Sequence, residues 1–160
     1  MSYVPGTVTT LPAFLDAFST MLRDRSGLDG VNVFTGPVAD PAELGLEYIL
    51  LAPTEVDVTY LYDVGTPMQS VEESYTVPGQ LLGVVAGTGE GSIAAARDRG
   101  FALLDEVHRA LRTSDTADKS VWDCRLASYK AAQYIFDNAR RCCSIDFSIH
   151  VQALFTPATP

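Results

Sequence analysis

Residues 141–155 alternate apolar and polar side chains with few exceptions. Cys143, Ile145, Phe147, Ile149, Val151, Ala153 and Phe155 share one parity. Ser144, Asp146, Ser148, His150 and Gln152 share the other. Successive side chains of a strand point to opposite faces, so this pattern predicts a half-buried antiparallel strand. Such a strand belongs to a sheet whose apolar face is covered by another layer.

Two amphipathic segments can supply that cover. In 11–25, Leu11, Phe14, Leu15, Phe18 and Leu22 fall on one helical stripe, while Asp16, Arg23 and Asp24 lie off it. Thr10 is placed to cap this helix, Pro12 is tolerated in its first turn, and Gly27 is its natural stop. The second helix runs from about Ile93 to Arg112. Spacing assigns Ile93, Phe101, Leu104, Val107, His108 and Leu111 to its buried stripe, with Ser92 as N-cap. Asp105 and Arg109, four apart, can pair. Gly100 costs this helix about 1 kcal/mol relative to Ala, which a close helix–sheet approach would explain.

The remaining strands are shorter or less regular. Val31–Phe34, 47–51 and the alternating 55–62 each read as a strand. The segment 71–86 is a long β segment with Pro78-Gly79 in its middle, which predicts a bend or an edge position. Val121–Phe136 is strand-rich, with Trp122, Leu126, Tyr129 and Tyr134 as packing residues, and Asp137-Asn138 is a turn. Residues 1–9 read as an extended lead-in, and 39–45, 63–70 and 113–120 read as loops. The predicted fold is α+β: a mostly antiparallel sheet with two helices packed on one face. One domain spans 1–155, followed by a flexible tail, 156–160.

Charge narrows the function. The chain carries 20 acidic and 11 basic residues, a formal net charge of -9. Nucleic-acid binders neutralise phosphates with basic patches, and the nearest feature here is Arg140-Arg141. No apolar run approaches the roughly 20 residues that span a bilayer. Met1–Gly6 lacks a basic region followed by an apolar one, so no secretory signal is expected. The expected setting is the cytoplasm of the producing cell, or a particle built there.

No chemistry-bearing motif stands out. The three cysteines (Cys124, Cys142, Cys143) are odd in number and lack zinc-site spacing, so buried or half-buried thiols are expected. Of the two histidines, His150 lies eight residues from Cys142, roughly 26 Å along a strand. The glycine-rich Gly87–Ser92 turn lacks the Lys-Ser/Thr of a phosphate-binding loop. Glu72 and Glu73, adjacent in a strand, point to opposite faces and make no convergent acid pair. The expectation is a protein with no catalytic residues, no metal and no cofactor. Arg140 and Arg141 are natural partners for Glu72 or Glu73 across a subunit interface.

The order of these segments carries a resemblance. Glu72-Glu73-Ser74-Tyr75-Thr76-Val77 leads into the hydrophobic Leu81–Ala86. The Ala/Arg-rich helix around Arg97–Arg112 follows, and then the long final strand. In this order the chain resembles the tail terminator (tail completion) proteins of long-tailed bacteriophages. The resemblance implies a homohexameric ring at the head-proximal end of the tail, the tail–neck junction of the virion. It implies docking on the tail tube protein and a face offered to the head-completion (stopper) protein. DNA would pass through the lumen without specific binding, and no membrane is involved. In that setting Glu72, Glu73, Tyr75, Arg140 and Arg141 are the candidates for a subunit interface or the lumen. The alternatives are another neck component (stopper or adaptor), a small cytoplasmic cysteine enzyme, and a monomeric binding module with an apolar pocket.

Overall fold

A computed structural model describes residues 9–62, 71–114, 116–117 and 121–155. The lead-in over 1–8, the loop 63–70, half of 113–120 and the tail 156–160 lie outside the described residues. Among those described, two α-helices, α1 (Leu11–Arg23) and α2 (Glu90–Thr113), cover one face of a mixed sheet. The strands are β1 (Asn32–Thr35), β2 (Tyr48–Leu51), β3 (Val58–Tyr62), β4 (Val71–Ala86), β5 (Asp123–Asp137) and β6 (Arg140–Phe155). Their order is β1-β2-β4-β6-β5, with β3 also paired to β4. Only β1 and β2 run parallel; the other pairings are antiparallel. The chain is thus an α+β fold with a mostly antiparallel sheet, as the sequence predicts.

β4 and β6 form the spine. They pair along their whole lengths, from Val71 opposite Phe155 to Ala86 opposite Arg140. Odd-numbered residues of both strands face the helices: Tyr75, Val77, Leu81, Cys143, Ile145, Phe147, Ile149 and Val151 are all buried. Phe14, Phe18 and Leu22 of α1, and Leu103, Leu104, Val107 and Leu111 of α2, complete the core. The even-numbered face bears Glu72, Ser74, Thr76, Gln80, Ser144, Asp146, Ser148, His150 and Gln152, half-buried or exposed and without a helix over it.

Several sequence expectations change. Pro78 sits in the central strand, neither at an edge nor at a bend. Its carbonyl accepts from Ala52 N–H at 2.8 Å, on the flank where β2 ends at Gly79 and β3 begins only at Tyr75. A residue's N–H and C=O point to the same flank, so the missing donor falls where the ladder is interrupted. Gly79 leaves room for the Phe147 ring, which a Cβ at that position would overlap.

α2 begins at Glu90, so Ser92 lies inside the helix and Gly89 is the N-cap, with no side-chain cap. Its buried stripe is Ala96, Gly100, Leu103, Leu104, Val107, Ala110 and Leu111. Ile93, Phe101 and His108, expected on this stripe, are exposed. Small residues set this phase because the helix seats close to the sheet. A Cβ on Gly100 would stand 2.8 Å from Cys143 Cβ and Sγ, and one on Gly83 would stand 2.8 Å from the Gly100 nitrogen. The close approach expected at Gly100 is therefore present. α1 ends at Arg23 instead of Arg25, and Gly27 lies within a short 3-10 turn, Ser26–Leu28.

Candidate functional site

Glu73 has the parity of the apolar residues Val71, Tyr75 and Val77, and it is fully buried. Its carboxylate lies at the start of α1. One oxygen accepts from the Thr9 hydroxyl; the other accepts from Thr10 N–H and the Thr10 hydroxyl, each at 2.8 Å. The Thr10 hydroxyl also lies 3.0 Å from the Tyr75 hydroxyl. Thr10 occupies the N-cap position, but its side chain binds this carboxylate and makes no cap of its own. The negative charge sits at the positive end of the helix and satisfies a free N–H there. Buried charge is tolerated only when bonded this way. Glu73 and Tyr75 (2% exposed) therefore anchor α1 to β4 inside the subunit and are not on its surface.

Glu47 ties β2 to α2. Arg99 donates to both its oxygens, at 2.7 and 2.9 Å among other contacts, and Val84 N–H donates to it at 3.0 Å. Burial pushes the Glu47 carboxyl up. The Arg99 and Val84 hydrogen bonds and the Arg99 charge outweigh that and hold it below its ordinary range.

The sequence-predicted surface residues lie far apart. Glu72, half-buried on the helix-free face, is opposite Leu154 on one side and Leu61 on the other. Arg140 and Arg141 sit at the far end of the same strand pair. Fourteen residues separate the registers of Glu72 and Ala86, the partner of Arg140, about 45 Å along a strand. No pairing between them arises within one subunit. Arg140 instead closes the β5–β6 hairpin on Asp137, at 2.7 Å, and covers the Phe136 ring with 4.8 Å to its centroid. The Arg140 hydrogen bonds and Ala139 N–H hold the Asp137 carboxyl below its ordinary value. Arg141 donates to the Thr88 carbonyl at 3.2 Å.

The sequence predicts a strand over Val121–Phe136, and β5 is there; its exposure is what the sequence does not predict. β5 pairs with β6 on one side, and among the described residues no strand pairs with its other side. From Ala127 to Phe136 nearly every side chain is exposed on both faces, and register shifts break the ladder around Ala127 and Phe136. Trp122 (60% exposed), just before β5, and Tyr129, Tyr134, Ile135 and Phe136 along it are all exposed. They are surface residues, not the packing residues that their size implied. Phe101 of α2 meets Tyr129 edge-on, with centroids 5.9 Å apart, and extends the patch to the helix layer. A long strand edge without a strand partner among the described residues is a template for another chain, and the exposed aromatic side chains along it add apolar surface to that edge.

All three cysteines are buried thiols. Burial raises both Cys142 and Cys143, the opposite of an activated nucleophile. His108, Asp123 and Cys124 line one shallow cavity of about 320 Å³. Cys124 itself is 2% exposed, with its sulfur toward the Ser114 carbonyl at 3.9 Å. Among the described residues no three His, Cys, Asp or Glu side chains converge as a metal site, and no helix is long and apolar enough to cross a membrane.

No protein-family model matches this chain, and no curated protein does. Among solved structures, a chain from the virion of a native gene transfer agent particle matches 92% of this chain and 100% of its own length. The identity is 16% and the TM-score 0.45, a likeness that carries no weight for family or function.

Proposed function

We propose that this chain is a virion structural protein without catalytic activity, a tail terminator. It forms a ring, a hexamer on the resemblance its segment order carries, at the head-proximal end of a phage tail tube. The observation that carries an assembling role is β5: a 15-residue edge strand, open on its outer side among the described residues and flanked by exposed aromatic side chains. A monomer that works alone gains nothing from such an edge, which invites aggregation unless a partner covers it. A ring closes edges by joining one side of each subunit to the opposite side of the next.

Termination then follows from interfaces. One rim of the ring matches the last ring of tube protein, and the other offers further tube subunits nothing to pair with while accepting the head-completion protein. With -9 per subunit, a lumen of net negative potential lets a duplex slide without sticking.

The test is electron microscopy of particles made from the parent genome with this gene deleted. Filled heads beside detached tubes of uncontrolled length are expected. Free tails of normal length beside leaking heads would reassign the chain to the stopper or adaptor. Intact tailed virions would remove the structural reading.

A further inference from the structure

The two lateral edges of the sheet differ in charge. Residues 123–160, which hold β5 and β6, carry four basic and three acidic side chains; the rest of the chain carries seven basic and seventeen acidic. On β5, Arg125 and Lys130 lie opposite His150 and Asp146, so both project from the helix-free face. Both are exposed, and neither has an ion-pair partner among the described residues. At the opposite edge, β3 pairs only with β4 among the described residues. Glu55, Asp57 and Thr59, all exposed, line a shallow cavity with Ser74 and Thr76 of the same helix-free face. Glu55 and Asp57 also have no ion-pair partner among the described residues. Leu61 follows on β3, 58% exposed.

We infer that the occupant of the β5 edge is a second copy of this chain, through the β3 edge of its sheet, with Arg125 and Lys130 set against Glu55 and Asp57. This rests on the ring-forming reading and names the surfaces that would close the ring. Glu55 and Asp57, just before β3, line a cavity with Ser74 and Thr76 of the helix-free face, the face from which Arg125 and Lys130 project, so edge-to-edge addition brings the opposite charges to one side of the sheet. The contact joins two different edges, so it is heterologous and generates a ring when the rotation closes. Opposite charges favour this pairing of edges, with the exposed Arg125 and Lys130 of one copy meeting the exposed Glu55 and Asp57 of the next.

The test is disulfide capture between two full-length variants, Lys130→Cys and Asp57→Cys, one of them carrying a size tag. The native thiols are buried, so background capture is low. The expected product is the mixed 130–57 dimer, in excess over both like-with-like dimers. Predominantly like-with-like capture, or no capture at high protein concentration, overturns the inference. A second set keeps the test independent of cysteine placement. R125E/K130E and E55K/D57K are each expected to weaken self-association by about tenfold or more, and mixing the two variants is expected to restore it. Failure of that rescue overturns the inference. A ring formed through other surfaces would sink this contact and leave the terminator reading standing. Mixed capture from a protein absent from virions would do the reverse.

Discussion

Gly100 sets how closely α2 lies on the sheet, and replacing it should reverse the usual sign of a glycine-to-alanine change in a helix. Propensity alone favours Ala by about 1 kcal/mol. The new Cβ, however, would stand 2.8 Å from both Cβ and Sγ of Cys143. Carbon atoms rest about 3.5–4.0 Å apart, so the helix must lift by roughly 1 Å. Cys143 Cβ is fixed to the β6 backbone and cannot swing aside, and Gly83 of β4 shows the same tightness. Overpacking of this kind costs about 1–3 kcal/mol. The net for Gly100→Ala is a loss of about 0–2 kcal/mol, or roughly 2–4 °C in Tm per kcal/mol for a chain of this size. Gly91 is the internal control: it lies in the same helix, and a Cβ added there would meet nothing within 4 Å. Gly91→Ala should gain about 0.4–1 kcal/mol. Urea unfolding followed by circular dichroism, at one protein concentration, compares the two. A Gly100→Ala protein stabilised as much as Gly91→Ala would refute the account of helix–sheet packing.

Glu73→Ala leaves Thr10 N–H and two hydroxyls without their acceptor, and should destabilise the fold by on the order of 3 kcal/mol in the same urea assay. An effect below about 0.5 kcal/mol would contradict the anchoring role. Glu47 binds protons less readily in the folded chain than in the unfolded one. Its stabilising contribution is therefore full above its ordinary value near 4.5 and fades as pH falls through the lower folded value. Across that acid window, Tm should fall less steeply in Glu47→Gln than in the unaltered protein, and equal slopes would remove the Glu47–Arg99 pair as a source of acid sensitivity. A chromogenic disulfide reagent at neutral pH should titrate three thiols rapidly in denaturant and slowly in the native protein. One thiol reacting at once in the native state would reopen the cysteine-enzyme alternative.

Legibility in the sequence followed how sharply burial alternates. β6 is buried on one face only, so its pattern could be read to within a residue or two. β5 is exposed on both faces and bulged twice, so nothing alternates, and Trp122, Tyr129 and Tyr134 resembled core residues by size alone. Bulk points the stripe of α2 through Phe101 and His108, whereas the buried phase runs through Ala96, Gly100 and Ala110, small because the sheet is near. Pro78 signals a missing donor, and sequence cannot say that the neighbouring flank lacks a ladder partner there. Glu73 did leave a sign: an acid on the parity of Val71, Tyr75 and Val77 must either break the core or be bonded inside it. The separation of Glu72 from Arg140 depends on the β4–β6 register, which no local pattern sets.

The measurement closest to the central claim is cryo-electron microscopy of intact particles from the parent genome, with this chain fitted into the tail–neck density. The account predicts a closed ring of copies between the last tube ring and the neck, with β5 covered by the adjacent copy. A particle lacking this chain, or holding it singly and away from the tube end, would contradict it.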